Sequence, residues 1–301
     1  MKVFLTGGMG FIGSYIAVEL LKQHHQVTIL ARNPRKVPAL ADVPGVSAVQ
    51  GGMADFDVIA KSLPGHDAVI HNALYWGNTP TDMLHNDTRC SIHLFSMAAD
   101  AGVKRIVYNS STATMGQFRP DMNEESKPKP TDYYGATKVA TEAYLLAFGS
   151  KASMLCNVVR PGYTMGNPVV PGAFIYSDKR FRTIVQNALS GADISLTKND
   201  GTQFIWAGDL AKIFVAAMES DHNRDIYFGL SKNWTSWEAI ARQAVEMTAS
   251  KSKIVLQDKA NPDRPHMFDM GKIQREFGFA FDSTQAITDH LKYLIDHKGN
   301  A

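Results

Sequence analysis

The residues best suited to proton transfer in this chain are Tyr134 and Lys138, which lie four positions apart. Residues at this spacing share one face of a helix. A tyrosine hydroxyl has an ordinary pKa of about 10, so it needs a neighbouring cation before it can act as an acid or base near neutral pH. Lys138 would provide that cation, and no other tyrosine in the chain has a lysine four residues further on.

A second group of reactive side chains is the hydroxyl-rich segment Asn109–Gly116, which directly follows the apolar run Arg105–Asn109. If that run is a strand of a parallel sheet, these hydroxyls lie at its carboxyl end, where a substrate oxygen could be held. Taken alone, a polar turn without a ligand is the simpler interpretation.

Near the start of the chain, the apolar run Val3–Leu5 breaks on glycines and continues as a helical pattern from about Phe11. Gly7 permits a tight turn, Gly10 would let a pyrophosphate approach the backbone, and Gly13 would let the helix pack on the strand. The unpaired N–H groups at the start of this helix would then face an anion. The pattern predicts a dinucleotide site, the alternative being a glycine-rich turn without a ligand.

The elements that must position these groups alternate along the first half of the chain. The predicted strands are Val3–Leu5, Gln26–Leu30, Ser47–Gln50, Asp67–His71, Arg105–Asn109 and Met154–Val159. The predicted helices between them are Ala17–Lys22, Asp55–Leu63, Asp87–Ala101 and Tyr134–Ala147. This alternation predicts an α/β fold with a doubly wound parallel Rossmann sheet.

The clean alternation stops after Val159. We therefore expect residues 1–160 to form a dinucleotide-binding Rossmann domain, with 204–219 returning to it as a strand and a helix. Residues 161–301 would form mainly a smaller C-terminal substrate-binding lobe, including the helix Trp237–Thr248 and the strand Lys253–Leu256.

The end of the second strand bears on the choice of cofactor. An NAD site usually carries an acidic residue there, which binds the adenosine ribose. Here the strand runs into Ala31 and Arg32, with Arg35 and Lys36 behind them. Arg32 would attract a 2′-phosphate, so the sequence favours NADP, with NAD possible. An exposed basic loop without this role is the alternative.

Composition excludes several classes of function. A net charge of +2 gives no electrostatic case for nucleic acid or an anionic membrane, and no apolar run approaches the length of about 18 residues that a membrane span needs. Cys90 and Cys156 form no disulfide framework. We expect no metal site, no signal peptide and a cytoplasmic location. The histidines without a metal-ligand pattern include His24, His25, His71 and His266.

Several segments together resemble the extended short-chain dehydrogenase/reductases, the NAD-dependent epimerase/dehydratase family. They are Thr6–Gly13, Asp67–Ala73, Ala101–Ser111, Tyr133–Lys138, Val158–Gly162, Phe204–Ala211 and Asp269–Phe279. The resemblance covers nearly the whole chain, and these segments occur in the family's order. It implies a homodimer through the helices Asp87–Ala101 and Tyr134–Ala147.

The resemblance also implies residue roles. Tyr134 would be the general acid/base, Lys138 would hold the nicotinamide ribose, and Ser111 would take the place of the catalytic Ser/Thr, with Thr112 as the alternative. The cofactor would contact Gly7, Gly10, Phe11, Ile12, Gly13, Arg32, Met53, Ala73, Tyr134, Lys138 and Pro161. Hydride transfer would belong to the nicotinamide, while the protein supplies position and protons.

The chain departs from the family pattern at several positions. Gly52 stands where relatives carry an adenine-contacting aspartate, which leaves Met53 and Asp55 to form that wall. Met115 stands where relatives often carry a tyrosine that lines the substrate site. Asp87 falls at the helical asparagine position, and we assign it no catalytic role.

The substrate would lie between the lobe and the hydroxyl-rich segment. The main candidates for substrate contact are Tyr75, Trp76, Thr112 and Tyr163. Trp206, Arg180 and Arg264 are further candidates. The two arginines could bind a substrate phosphate, although an ordinary surface position is the commoner case for arginine. For each aromatic residue, packing in the core is an equal alternative.

We therefore expect an enzyme that acts on a small molecule. The leading hypothesis is NADP(H)-dependent hydride transfer on a carbonyl/alcohol substrate by a Ser-Tyr-Lys triad. The first alternative is a nucleotide-sugar epimerase or dehydratase, although no convincing basic and aromatic set for a nucleotide diphosphate stands out. A non-catalytic NADP-binding sensor is the second alternative.

Overall fold

The computed structural model describes residues 1–175, 179–263 and 265–299. Its strands are β1 (Lys2–Thr6), β2 (Gln26–Ala31), β3 (Val46–Gln50), β4 (Ala68–His71), β5 (Arg105–Asn109), β6 (Leu155–Pro161), β7 (Tyr163–Met165), β8 (Ile194–Thr197), β9 (Gly201–Thr202), β10 (Phe204–Trp206), β11 (Ile226–Gly229), β12 (Thr235–Ser236) and β13 (Ile254–Gln257). The main sheet has seven parallel strands in the order β11-β6-β5-β4-β1-β2-β3.

The helices surround this sheet or build the lobe. They are α1 (Phe11–Lys22), α2 (Pro38–Ala41), α3 (Phe56–Ser62), α4 (Pro80–Met83), α5 (Arg89–Asp100), α6 (Tyr133–Lys151), α7 (Lys179–Ser190), α8 (Ala207–Glu219), α9 (Trp237–Met247), α10 (Gly271–Phe277) and α11 (Thr284–Asp296). A π-helical turn, Leu84–Thr88, precedes α5, and a 3-10 helix, Thr112–Met115, follows β5. No helix in the described residues is long and apolar enough to cross a membrane.

The parallel Rossmann sheet predicted from the sequence is confirmed, and its core explains why the strands read as apolar runs. Val3 and Leu5 of β1 belong to the hydrophobic cluster on one face of the sheet, whereas Phe4 belongs to the cluster on the other. Because successive side chains of a strand point to opposite faces, a sheet covered by helices on both faces needs apolar residues at every position.

The strand at the start of residues 204–219 pairs outside the main sheet. The strand at Phe204–Trp206 does not join the main sheet but pairs with β7 in a separate two-stranded sheet. The main sheet instead takes β11 as its edge strand, beside β6, and the sequence analysis did not predict this strand. Helix α8 does pack on the main core, to which it contributes Leu210 and Phe214.

A separate hydrophobic cluster holds the lobe together. It joins helices α7, α9 and α11 around Phe181, Trp237 and Leu291, and β8 pairs in parallel with β13 beside it. Phe204 of β10 also belongs to this cluster. The division of the chain into the predicted domain ranges stays a prediction.

Candidate active site

The glycine turn between β1 and α1 leaves no room for side chains. Gly7 has a φ of +70°, a conformation that favours glycine. A Cβ on Gly13 would lie 2.1 Å from the Gly7 carbonyl oxygen, and a Cβ on Gly7 would lie 2.8 Å from the Ala73 nitrogen. Helix α1 starts here with no acidic residue in its first turn. The turn therefore has the shape and the polarity to hold a phosphate group.

At the end of β2, the three basic side chains differ in what they contact. Arg35 pairs with Asp42, and the Lys36 ammonium lies 4.9 Å from the centre of the Phe174 ring. Arg32 is exposed, and within the described part of the chain it forms no hydrogen bond or ion pair. Arg32 is therefore the basic side chain best able to meet an added phosphate.

The wall next to Arg32 is formed by the segment after β3. A Cβ on Gly52 would lie 3.5 Å from Cγ of Arg32, so the arginine stem runs along this glycine. The Gly52 N–H donates to Oδ2 of Asp55 at 2.7 Å. Met53 is partly buried and packs against the hydrophobic cluster that contains Phe4. The Asp55 carboxylate is thus held by the Gly52 backbone N–H, and a contact of Met53 with an adenine ring stays a prediction.

Lys138 lies buried at the carboxyl end of β5. Its Nζ donates to the Asn109 carbonyl oxygen at 2.9 Å and lies 5.7 Å from the centre of the Tyr134 ring. Burial lowers the pKa of Lys138 from its ordinary range, while the negative charges of Asp87 and Glu142 oppose that shift. The structure thus brings the predicted lysine cation to the predicted tyrosine.

The segment that carries Ser111 adjoins the start of α6. A Cβ on Gly135 would lie 2.4 Å from the Ala113 carbonyl oxygen, so the residue after Tyr134 touches the 3-10 helix that begins after Ser111. The Ser111 hydroxyl accepts a hydrogen bond from the Ala113 N–H at 3.1 Å. Ser111 and Tyr134 therefore stand on adjoining segments, and their catalytic roles stay predictions.

The aromatic segment after β4 covers Tyr134. The Trp76 ring centre lies 4.7 Å from that of Tyr134, although 67% of Trp76 is exposed. Tyr75 is 44% exposed, and its N–H donates to Oδ1 of Asp87 at 2.9 Å. Trp76 thus borders Tyr134, whereas Tyr75 is tied through its backbone to Asp87.

Asp87 is a buried carboxyl group to which the sequence analysis gave no role. It lies in the π-helical turn before α5, and its Oδ2 is buried without a hydrogen-bond partner in the described residues. Burial raises the pKa of Asp87, while Lys138 and the Tyr75 N–H oppose that shift. Asp87 therefore anchors the segment that carries Trp76 and faces the charge of Lys138.

A pair of amide side chains links the glycine turn to the Lys138 site. Asn109 donates to Oδ1 of Asn72 at 2.6 Å, and Asn72 donates to the Gly7 carbonyl oxygen at 3.3 Å. The Ala73 N–H donates to the Thr6 hydroxyl at 3.0 Å, which fixes the backbone expected beside the cofactor. Oδ1 of Asn109 is buried with no hydrogen-bond partner in the described residues.

A buried ion pair supports the floor of the site, and sequence reasoning missed it. Arg160 of β6 forms two hydrogen bonds with Glu142 of α6, from Nε at 2.9 Å and from Nη2 at 2.7 Å. The Ser110 hydroxyl also donates to Glu142. A charged residue within an apolar strand was the available signal, because a buried charge requires a partner. This pair joins α6, which carries Lys138, to β6, which ends at Pro161.

A cavity of about 430 Å³ leads from Thr112 into the lobe. Its walls include the predicted residues Thr112, Tyr163 and Arg180, but not Tyr75 or Trp76. Trp206 does not line it either, since its ring packs 6.0 Å from that of Tyr15 in the core. Arg264, the other predicted phosphate ligand, lies outside the described residues.

The His, Cys, Asp and Glu side chains bear on whether a metal ion could be held. Across residues 1–175, 179–263 and 265–299, no group of three or more His, Cys, Asp or Glu side chains is arranged to hold a metal ion. His71, the histidine of β4, is buried between the Thr6 and Ser91 hydroxyls, and burial lowers its pKa to about 3.

Known proteins resemble this chain in sequence. It is 30% identical over 203 residues to the 3 beta-hydroxysteroid dehydrogenase/Delta 5-->4-isomerase of Mycobacterium tuberculosis, covering 63% of this chain and 52% of that protein. It is 32% identical over 171 residues to the UDP-glucose 4-epimerase of Corynebacterium glutamicum, covering 52% of this chain and 50% of that protein. The chain thus spans about half the length of these curated relatives.

Solved structures share the fold over almost the whole chain. MoeE5 in complex with UDP-glucuronic acid and NAD superposes with a TM-score of 0.80 at 21% identity, covering 99% of this chain and 100% of that one. The UDP-glucuronic acid 4-epimerase from Bacillus cereus, in complex with NAD, superposes with a TM-score of 0.82 at 18% identity, covering 98% and 100%.

The family model that matches the chain covers residues 3–229, from the first strand of the main sheet to the last. That range contains the glycine turn, the Tyr134–Lys138 pair and the Arg160–Glu142 support described above. By this match the chain belongs to the NAD-dependent epimerase/dehydratase family.

Proposed function

We propose that the protein is an NADP(H)-dependent oxidoreductase that acts on a small carbonyl/alcohol substrate. The observation that carries this proposal is the placement of Lys138 beside Tyr134 at the same sheet edge as the glycine turn. When bound, a nicotinamide dinucleotide supplies the hydride that, together with one proton from the protein, converts a carbonyl into an alcohol.

The glycine turn fits the pyrophosphate of such a cofactor, because any Cβ at Gly13 would fill the space against the Gly7 carbonyl. The buried, unpartnered Oδ1 of Asn109 leaves an acceptor for a ligand hydroxyl or amide near Lys138. Arg32 supports the preference for NADP over NAD, since a guanidinium pairs well with a phosphate.

In the reducing direction, the Tyr134 hydroxyl gives its proton to the carbonyl oxygen of the substrate. In the oxidising direction, the Tyr134 oxygen takes the proton of the alcohol. The Lys138 ammonium stabilises the deprotonated tyrosine in both directions, since opposite charges favour each other's ionised forms. Ser111 would hold the same substrate oxygen by a hydrogen bond.

The test is Tyr134→Phe, which removes the hydroxyl and keeps the ring that contacts Trp76. Loss of a general acid/base is expected to lower kcat by about 10²- to 10⁴-fold, with NADPH affinity nearly unchanged. Tyr133→Phe is the matched control, because Tyr133 is the neighbouring tyrosine and is 65% exposed. Equal activity of Tyr134→Phe and the parent protein would refute the mechanism.

A second candidate function is nucleotide-sugar epimerisation or dehydration. It is favoured by the similarity to a UDP-glucose 4-epimerase and to structures that contain UDP-glucuronic acid. If chromatography showed that the protein converts a UDP-sugar without net consumption of NADPH, this function would be favoured over the first. A sensor without turnover would bind NADPH and show neither activity.

We also propose a homodimer that forms through α5 and α6. Tyr144 of α6 is 52% exposed, which is consistent with an apolar contact on that helix. Light scattering at several protein concentrations measures the mass in solution, and a monomer at all of them would refute the dimer.

A further inference from the structure

The cavity that leads from Thr112 into the lobe has an apolar wall. Phe118, Leu230, Trp237 and Phe268 contribute to it, and the Phe118 and Phe268 rings pack edge to face with centres 4.8 Å apart. Leu230 and Phe268 belong to one small hydrophobic cluster, and Trp237 belongs to the core of the lobe. This wall is therefore preformed and suits the apolar face of a ring compound.

Two charged residues in the described part of the cavity wall pair with each other. Among its described lining residues, Arg180 and Asp200 are the only charged ones, and Nη1 of Arg180 lies 2.9 Å from Oδ2 of Asp200. The Arg180 guanidinium also lies 5.1 Å from the centre of the Trp237 ring. A diphosphate beside Arg180 would compete with Asp200 for that guanidinium and would meet the negative charge of Asp200.

Two polar residues of the cavity wall, Thr112 and Tyr163, bear on what it could bind. Thr112 follows Ser111 directly, so its part of the wall adjoins Ser111. Tyr163 lies in the wall contributed by the lobe, and its hydroxyl is buried with no hydrogen-bond partner in the described residues. Because a buried hydroxyl without a partner costs free energy, a ligand group that pairs with it gains affinity.

We propose that the cavity takes an uncharged substrate and not a nucleotide sugar: a ketone or secondary alcohol with an apolar ring body and a hydrogen-bonding group remote from the reacting carbon. The reacting carbon lies at the Thr112 end, the ring body lies along Phe118 and Leu230, and the remote group pairs with the Tyr163 hydroxyl. This inference rests on the proposed oxidoreductase function and names its substrate class.

The first test compares two sets of compounds with the full chain and NADPH. One set contains cyclic and aryl ketones with and without a remote hydroxyl, and the other contains UDP- and dTDP-linked sugars and their 4-keto forms. We expect reduction of neutral ketones, with higher kcat/KM when the remote hydroxyl is present. Reduction confined to the nucleotide sugars would overturn this inference and leave the oxidoreductase function standing.

The absence of any reduction by NADPH-loaded protein, or conversion of a nucleotide sugar without net NADPH consumption, would refute the proposed function and this inference with it. The two failures are therefore distinguishable. Tyr163→Phe adds a residue-level measurement: it should raise KM about tenfold for the hydroxyl-bearing ketone and leave the ketone without that hydroxyl unchanged. An equal effect on both ketones would contradict the assigned contact.

The ion pair provides a second test that does not depend on finding the best substrate. For a neutral substrate, Arg180→Gln and Asp200→Asn should change KM in the same direction and by less than about tenfold, because each variant leaves one charge without its partner. The double variant should approach the parent protein. If the substrate were a diphosphate, Arg180→Gln would raise KM and Asp200→Asn would lower it, and that opposite response would overturn the inference.

Discussion

Replacing Arg32 with methionine should weaken the binding of NADPH and leave that of NADH nearly unchanged. Methionine keeps an apolar stem along Gly52, where the arginine Cγ now lies, and removes the guanidinium. A hydrogen bond to a charged group contributes about 1.5–3 kcal/mol. Because Arg32 is exposed, we take the lower end, about 1.5 kcal/mol, which corresponds to roughly a tenfold rise in Kd for NADPH.

Isothermal titration of both cofactors at low and physiological salt measures this effect. The difference between NADPH and NADH should shrink as salt rises, because exposed charges are screened. Arg35→Met is the matched control: Arg35 already pairs with Asp42, so its loss should change NADPH affinity less. An equal loss of affinity for both cofactors, or no loss for NADPH, would show that Arg32 does not select the 2′-phosphate.

Two further predictions concern the glycine turn and the lobe. Gly13→Ala should abolish cofactor binding and cost about 1–3 kcal/mol of folding free energy. Gly10→Ala should have a milder effect on both, because its Cβ would lie 3.2 Å from the Gly7 oxygen. Titration with NADPH and urea unfolding measure the two effects, and a larger effect of Gly10→Ala would contradict this reasoning. Burial in the lobe lowers the pKa of His290 to about 4, below its value of about 6.5 in an unfolded chain. Its neutral form therefore contributes about 3 kcal/mol of stability above pH 6.5, which is lost as the pH falls towards 4. His290→Asn should flatten the pH dependence of urea unfolding in that window, and an unchanged slope would contradict this.

The main sheet and the proximity of Tyr134 and Lys138 could be predicted because their signals are local. A strand buried on both faces reads as an apolar run, as in Val3–Leu5, and two residues four positions apart must share a helix face, as Tyr134 and Lys138 do. The glycine spacing likewise reports a steric requirement, which the 2.1 Å approach of a Gly13 Cβ to the Gly7 oxygen makes explicit.

The remaining features depend on partners that are distant in the sequence. Arg180 was a candidate for a phosphate ligand, with an ordinary surface position as the alternative, and it pairs with Asp200, which follows α7 and β8 in the sequence. Trp206 was a candidate for the substrate site, but its ring packs on Tyr15 of α1. Strand β11 is only four residues long, and its apolar run Ile226–Phe228 is too short for periodicity to separate a strand from a buried helical segment.

Strand β11 lies far along the sequence from the strand it pairs with, and this affects when the main sheet can be completed during synthesis. Its pairing with β6 joins Val158 to Ile226 and Pro161 to Gly229, so the sheet is completed only after the intervening segment has been synthesised. Until then, β6 is an unpaired edge of seven residues that is free to pair with another chain. On the ribosome, the dinucleotide-binding sheet therefore stays incomplete while α7 through α8 emerge. A chain interrupted within that interval would be prone to aggregation.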